Sequence, residues 1–438
     1  MNWNQLLSTK RTGQEHRHDS TRHDRTQFQR DYDRLIFSSP FRRMQDKTQV
    51  FPLPGSVFVH NRLTHSLEVS SVGRSLGTNV GRMLESDKTI TTELVREIGA
   101  VVAAACLAHD MGNPPFGHNG EKAISHFFQH GEGAALKNEV TPAQWNDLIN
   151  FEGNANAFRL LVHSFNGRRK GGFALTYTTA ASIVKYPYAS GTSNKKKYGY
   201  FQSEKEAYTL IANELGLIQL NDGTYARHPL VYLVEAADDI CYQFMDIEDA
   251  HKLHIISTDE TKALFEAFFD PHDTSLQKRN HEVAREVIDT NELIAFYRAT
   301  VIGLLVNRCT EIFYTNHDTI MSGSFKGSLI DHLDGHLGKA MTQCQQTAWT
   351  RIYKHPSVVE IEIAGFKILG NLLENFTQAV LNPSQYRSSL LLPFMPMQYN
   401  SNENAGVYEK IQSVLDFLSG MTDEYALSLY RKINGLGL

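Results

Sequence analysis

The sequence predicts an all-α fold, on three observations. Apolar residues recur at steps of three and four along most of the chain, several long stretches read as buried helices, and runs alternating with period two are few and short. From His65, the residues Val69, Val72, Leu76 and Val80 follow at helical spacing, so His65 shares one helix face with an apolar stripe. Residues 93–109, ELVREIGAVVAAACLAH, are alanine-rich and largely apolar, which predicts a buried helix. Residues 230–251 predict another, and residues 291–320 a long third. The best strand candidates are 173–177 and 223–226, each read as a small hairpin. Loop signals cluster at 13–27, 167–172, 190–198 and 400–405. None resembles a long Pro/Ser linker, and there is no internal repeat. The expectation is one helical body over residues 1–438, with a core over about 58–250 and a C-terminal helical part over about 251–438.

With 438 residues, 41% hydrophobic and 21% charged, the chain has ordinary globular composition and enough length to bury a large core. A net charge of -5 excludes a basic surface built to coat nucleic acid, so any polyanion site must be local. The opening MNWNQLLSTKR runs straight into a polar, charged stretch and predicts no signal peptide. No apolar run approaches the ~20 residues a membrane helix needs, so no membrane partner is expected. Cys106, Cys241, Cys309 and Cys344 lack metal or disulfide spacing and have apolar flanks, so they read as core thiols of a reducing, cytoplasmic protein. The lysine run in SGTSNKKKY reads as a solvated loop before it reads as a phosphate binder.

The chemistry concentrates in AHDMGNPPFGHNGEKAI. Adjacent residues on a regular helix point about 100° apart, so His109 and Asp110 reach one ion only from a helix end. Gly112, Asn113, Pro114 and Pro115 supply that end, because proline cannot donate a backbone bond and drives the preceding residue out of the α region. An ion there needs further ligands, and His65 on its apolar face is the natural third. Asp238, in VEAADDICYQFMD, lies inside an otherwise apolar helix. A buried carboxylate without a partner is costly, and a cation is the economical partner. Two imidazoles and two carboxylates suit Mn²⁺, Fe²⁺, Ni²⁺, Zn²⁺ or Mg²⁺, with positions left for water and substrate. Each residue alone has an ordinary reading, since a histidine on an apolar face is commonly a hydrogen-bonded core residue. The convergence of three helices argues for the ion.

RLTHSLEV, AHDMGNPPFGHNGE and EAADDICY together resemble the HD-domain deoxynucleoside triphosphate triphosphohydrolases, the dGTPase-like family. The likeness continues through FRRMQDKTQVFPL, FEGNANAFRLL, LTYTTAASIVKYP, FQSEKEAY and SGMTDEYALSLY. It implies a mostly helical homo-oligomer, dimer-based and up to a hexamer, that cuts a dNTP, dGTP foremost, at the α-phosphorus. The products are a deoxynucleoside and inorganic tripolyphosphate. The implied cofactor is a divalent ion, Mg²⁺ or Mn²⁺ first, with Co²⁺, Ni²⁺, Fe²⁺ and Zn²⁺ as further candidates. His65, His109, Asp110 and Asp238 become the metal ligands, with Asp239 an outward neighbour, and His118 and Glu121 the catalytic pair. Arg62 matches a phosphate contact, and Gln49 and Val50 match positions near the sugar. Asn154, Lys185 and Tyr186 match positions around phosphates and ribose, and Tyr242 and Asp246 match sugar-side contacts. Single-stranded DNA or a regulatory nucleotide acts on some relatives, although the acidic net charge disfavours extended DNA binding.

Two of these assignments have a physical basis of their own. Asp238, Tyr242 and Asp246 are spaced i, i+4, i+8 and form one helix stripe. A tyrosine against C2′ leaves no room for a ribonucleotide hydroxyl. A helix beginning near Asn119 would set His118 and Glu121 one turn apart, with His118 open to the role of base, nucleophile or acid. Two other readings stay open: another HD-type phosphohydrolase (a nucleoside monophosphatase or a phosphodiesterase), and a catalytically quiet dNTP sensor.

Overall fold

The computed structural model describes residues 1–15, 24–51, 58–86, 93–192, 196–402 and 404–437. Parts of the expected loops at 13–27, 190–198 and 400–405 lie outside the described residues. Among those described, the fold is all-α; no strand joins a sheet, and extended pairing is limited to isolated bridges. The helices that build the site are, in chain order, α1 (Arg62–Ser86), α2 (Ile98–Ala108), α3 (Gly117–His130), α4 (Gly153–Val162), α5 (Tyr177–Ile183), α6 (Val231–Lys252), α7 (Thr290–Thr315), α8 (Pro356–Leu381), α9 (Val407–Ser419) and α10 (Asp423–Ile433).

Helix α1 buries the predicted stripe of His65, Val69, Val72, Leu76 and Val80. Its other buried row is Gly73, Gly77 and Gly81, and the absence of side chains there lets α2 lie almost backbone to backbone against it. A Cβ on Gly77 would sit 2.9 Å from the Ile98 carbonyl oxygen, and one on Gly73 only 2.5 Å from Cys106 Sγ. Helix α2 is buried at every residue but Ala100, as its alanine-rich sequence requires. The preceding residues, Glu93–Glu97, form a 3₁₀ turn, so the predicted helix begins one turn late. Helix α6 matches its prediction to within a residue at each end.

Three expectations are corrected. Residues 173–177 form no local hairpin: Thr176 bridges Arg11, far away in sequence, and the segment then turns into α5. Residues 223–226 close a tight turn with a single Gln219–Tyr225 bridge, too short to count as strands. The third long helix ends at Thr315; Asn316 interrupts it, and His317–Met321 is a separate short helix. Helix α7 is also long and apolar enough to cross a bilayer by length and composition alone, contrary to the sequence reading. Here Leu293, Tyr297, Val301, Leu305 and Phe313 are buried where it packs on α1 and α6.

The apolar interior falls into two clusters. The first joins α1, α2, α5, α6 and α7 with the N-terminal residues from Trp3 onward. The second combines Ile124, Phe127, Phe128 and Phe151 with residues of α8, α9 and α10. Helix α8 belongs to both, giving Val358 to the first and Ile368, Leu372 and Phe376 to the second.

Candidate active site

The site lies where α1, α2 and α6 converge. Helix α2 stops at Ala108, and the turn that follows (Met111 N to Ala108 O, Asn113 N to Asp110 O) lets His109 and Asp110 project from the helix end. One donor atom from each of His65, His109 and Asp238 lies within 4.8 Å of the others. His65 Nε2 is 3.1 Å and His109 Nε2 3.4 Å from the same Asp238 oxygen, Oδ1. The other His109 nitrogen, Nδ1, is 2.6 Å from the Cys106 carbonyl oxygen, which orients the ring and places the lone pair at Nε2. Asp238 was expected to be buried, yet its side chain is 34% exposed, which leaves the group open to a substrate.

Asp110 stands beside these three but is otherwise engaged. Arg62 Nη1 donates to its Oδ2 at 2.6 Å, and Asn113 Nδ2 to its Oδ1 at 2.5 Å. Its Oδ1 is 3.7 Å from His109 Nε2. Arg62 reaches this position past Gly117, which is in the left-handed region at φ 58°; a Cβ there would lie 2.4 Å from Arg62 Nη2.

The charges respond as a cluster awaiting a cation would. Burial pushes the His109 imidazolium down, but the Asp110 and Asp238 carboxylates outweigh it and raise its pKa to about 9. Burial raises Asp238, but His109 and His65 hold it well below the carboxylate range. His109 Nε2 is buried and faces both the His65 ring and the Asp238 carboxylate. Once its proton is lost it offers a lone pair, and that donor set fits a divalent ion of the borderline class.

Helix α3 starts at Gly117, two residues earlier than expected, just after Phe116, itself left-handed at φ 64°. His118 Nδ1 is 3.0 Å from Glu121 Oε2, and Gly153 N of α4 donates to Glu121 Oε1 at 3.0 Å. Glu121 raises the His118 pKa, while the His118 side chain is 69% exposed and free to meet a substrate.

The remaining predicted residues surround this centre. The Thr48–Asn61 bridge sets Gln49 beside the start of α1; Gln49 Oε1 is buried without a partner, and Val50 packs on the first apolar cluster. Asn154 donates to Glu152 at 2.6 Å in the first turn of α4. Lys185 pairs with Glu235 of α6 at 2.9 Å, and its ammonium lies 5.9 Å from the Tyr186 ring centre. Asp239 is raised to about 7 by burial, despite the nearby Lys185. Tyr242 and Asp246 continue the Asp238 stripe along α6. Sequence reasoning missed Tyr353, whose hydroxyl donates to Asp246 Oδ2 at 2.7 Å across 107 residues of chain. Its setting, RIYKHP, carries no local signal. It also missed Asn113, which the HDMGN spacing would have suggested as the partner of Asp110. Elsewhere, a cavity of about 400 Å³ includes Arg159 and Asp416, but that guanidinium is already matched by Glu204 and Asp416.

An HD domain model matches residues 62–144, the segment that carries His65, His109 and Asp110, and a phosphohydrolase-associated domain model matches residues 332–432. A deoxyguanosinetriphosphate triphosphohydrolase-like protein of Synechocystis sp. is 37% identical over the full length of both chains. One of Pseudomonas aeruginosa is 35% identical over 99% of each. The chain belongs to the dGTP triphosphohydrolase-like family of HD-domain proteins. A deoxyguanosinetriphosphate triphosphohydrolase of Yersinia enterocolitica is 29% identical over 93% of each chain. Membership makes the chain a hydrolase, and HD domains are metal-dependent phosphohydrolases, in agreement with the His65, His109 and Asp238 cluster.

Proposed function

We propose that this protein hydrolyses deoxynucleoside triphosphates, dGTP foremost, to deoxynucleoside and inorganic tripolyphosphate. The observation that carries the proposal is the pairing of two functions at one place. A donor set for a cation (His65, His109, Asp238) stands beside an exposed imidazole, His118, whose proton affinity is raised by Glu121.

His65, His109 and Asp238, with Asp110 as a further ligand, would hold a divalent ion, which would supply Lewis-acid polarisation of an α-phosphate oxygen. Water adds to the α-phosphorus and the bond from phosphorus to the 5′-oxygen breaks. His118, whose proton affinity Glu121 raises, gives a proton to that departing oxygen, so the nucleoside leaves as an alcohol, and the proton shed by the attacking water restores the imidazolium. Arg62 and Lys185 neutralise phosphate charge, each exchanging its present carboxylate partner for the anion. Along α6, Tyr242 packs against the deoxyribose and Asp246, braced by Tyr353, accepts from the 3′-hydroxyl. This arrangement excludes a ribonucleotide at C2′. The four buried, unpaired cysteines suit a reducing compartment such as the cytoplasm.

The test is a panel of dNTPs and NTPs with Mg²⁺, Mn²⁺ or Co²⁺, with products separated by ion exchange. Tripolyphosphate from dNTPs is expected. Orthophosphate or a nucleoside monophosphate as the first product would overturn the reading.

A further inference from the structure

We infer that Asp423, with Lys47, is a positioning device through which the C-terminal helices set the acid–base pair and the Arg62 segment over the cation site. The inference rests on the phosphohydrolase reading above.

Asp423 is the first residue of α10, and its two carboxylate oxygens each accept a backbone N–H from a different active-site loop. Oδ1 accepts from Phe116 at 3.0 Å, and Oδ2 from Thr48 at 2.8 Å. Phe116 is the left-handed residue that launches α3, two residues before His118. A non-glycine residue in this region is strained and persists only where its surroundings impose it. Thr48 precedes Gln49 and bridges Asn61, next to Arg62.

Lys47 completes the linkage. Its buried Nζ donates to the Asn113 carbonyl at 2.6 Å and to the Ser419 carbonyl, at the end of α9, at 2.7 Å. Its own carbonyl accepts from Arg62 N at 3.1 Å. Asn113 in turn holds Asp110. Thus residues 419–423 grip the loop that carries Asp110, the corner before His118 and the segment leading to Arg62, while none of these bonds involves His65, His109 or Asp238.

The bland alternative is that Asp423 only stabilises α10 as an acidic residue in its first turn. Glu424 is also in that turn, and Thr422 already caps the helix by accepting from Tyr425 N. The two roles therefore separate. Asparagine at 423 keeps one accepting oxygen and opposes an amide to the second N–H; alanine keeps none.

The experiment compares the full-length wild type with Asp423→Asn, Asp423→Ala and Glu424→Gln. It reads amide hydrogen exchange over peptides containing Thr48 and Phe116, Mn²⁺ affinity by electron paramagnetic resonance, thermal stability, and kcat and KM on dGTP. Exchange at both loops should quicken and kcat should fall on the order of 10-fold in Asp423→Asn and 10²-fold in Asp423→Ala, the scale of a 1 Å misplacement. Mn²⁺ affinity should hold, KM should rise by less than kcat falls, and Glu424→Gln should match the wild type. An unchanged kcat in Asp423→Ala overturns the inference, as does a loss reproduced by Glu424→Gln. If the alanine variant does not fold, the asparagine variant decides. If wild type turns over no dNTP, the functional reading fails, and exchange decides this one: quickened at both loops in Asp423→Asn alone upholds the clamp, unchanged overturns it.

Discussion

His118 owes its raised proton affinity chiefly to the Glu121 carboxylate 3.0 Å from Nδ1. In the proposed reaction His118 is the acid and must be protonated, so kcat should fall as pH rises through its pKa. Removing the negative charge lowers that pKa; Glu121→Gln should therefore move the alkaline limb of the kcat profile to lower pH, and an unmoved limb would reject the acid role. His118→Ala should keep Mn²⁺ binding and lose ~10²–10⁴ in kcat, the range of a general acid. At the cation site the proton works the other way. Without an ion His109 holds its proton up to about pH 9, and a cation must displace it. Mn²⁺ affinity should climb from neutral pH toward 9, at roughly tenfold per unit for one proton released. A flat titration would remove His109 from the ligand set. Asp238→Ala should abolish Mn²⁺ binding, whereas Asp239→Asn should retain it.

At the scale of elements, α1, α2 and α6 hold the site because their packing is close and charged. The glycine row on α1 brings α2 near enough for His65 and His109 to face one Asp238 oxygen. A second contact ties α1 to α6. His60, just before α1, has Nδ1 2.9 Å from Asp249 of α6 and Nε2 3.2 Å from Glu68 of α1. Burial pushes His60 down, but the two carboxylates outweigh it and raise it to about 10 from an ordinary value of 6.5. A group raised on folding contributes fully below the unfolded value, here about pH 6.5, and its contribution drains away as pH climbs through about 10. Lys47, pushed down to about 7 by burial, acts with the opposite sign over the upper part of that window, so the comparison must be between proteins. Wild type minus His60→Gln, measured by urea unfolding at neutral pH and near pH 10, should shrink by on the order of 2–4 kcal/mol. An equal difference at both pH values would mean that His60 is not charged in the fold.

At the scale of the molecule, the second apolar cluster joins residues between Ile124 and Phe201 to residues between Ile368 and Leu429. Ile124, Phe127, Phe128 and Phe151 close against Leu372, Phe376, Leu415 and Phe417. A chain cut after His355 would leave the first group uncovered, and an apolar face of that size is an association surface. Such a truncation should bind a hydrophobic dye, lose near-ultraviolet circular dichroism and bind no Mn²⁺. A cooperative melt with intact Mn²⁺ binding would show that the first cluster folds alone. The residues around the Asp110 turn and His118 are therefore expected to depend on α8, α9 and α10, although none of those helices supplies a candidate ligand.

The features legible along the chain are local: helical periodicity, the helix end forced by Gly112 to Pro115, the donor types at 65, 109, 110 and 238, and the His118–Glu121 spacing within one turn. The all-α class followed because a repeat of 3.6 residues is written in neighbouring positions. The two proposed hairpins failed because a short apolar run does not specify its partner, and residues 173–177 found theirs at Arg11. Folding in three dimensions sets the rest: Asp238 faces an opening, both oxygens of Asp110 are held by Arg62 and Asn113, and Tyr353 and Asp423 reach the site from 107 and 307 residues away. Those contacts depend on how two apolar clusters close on each other through α8, and no periodicity along the chain records that distance.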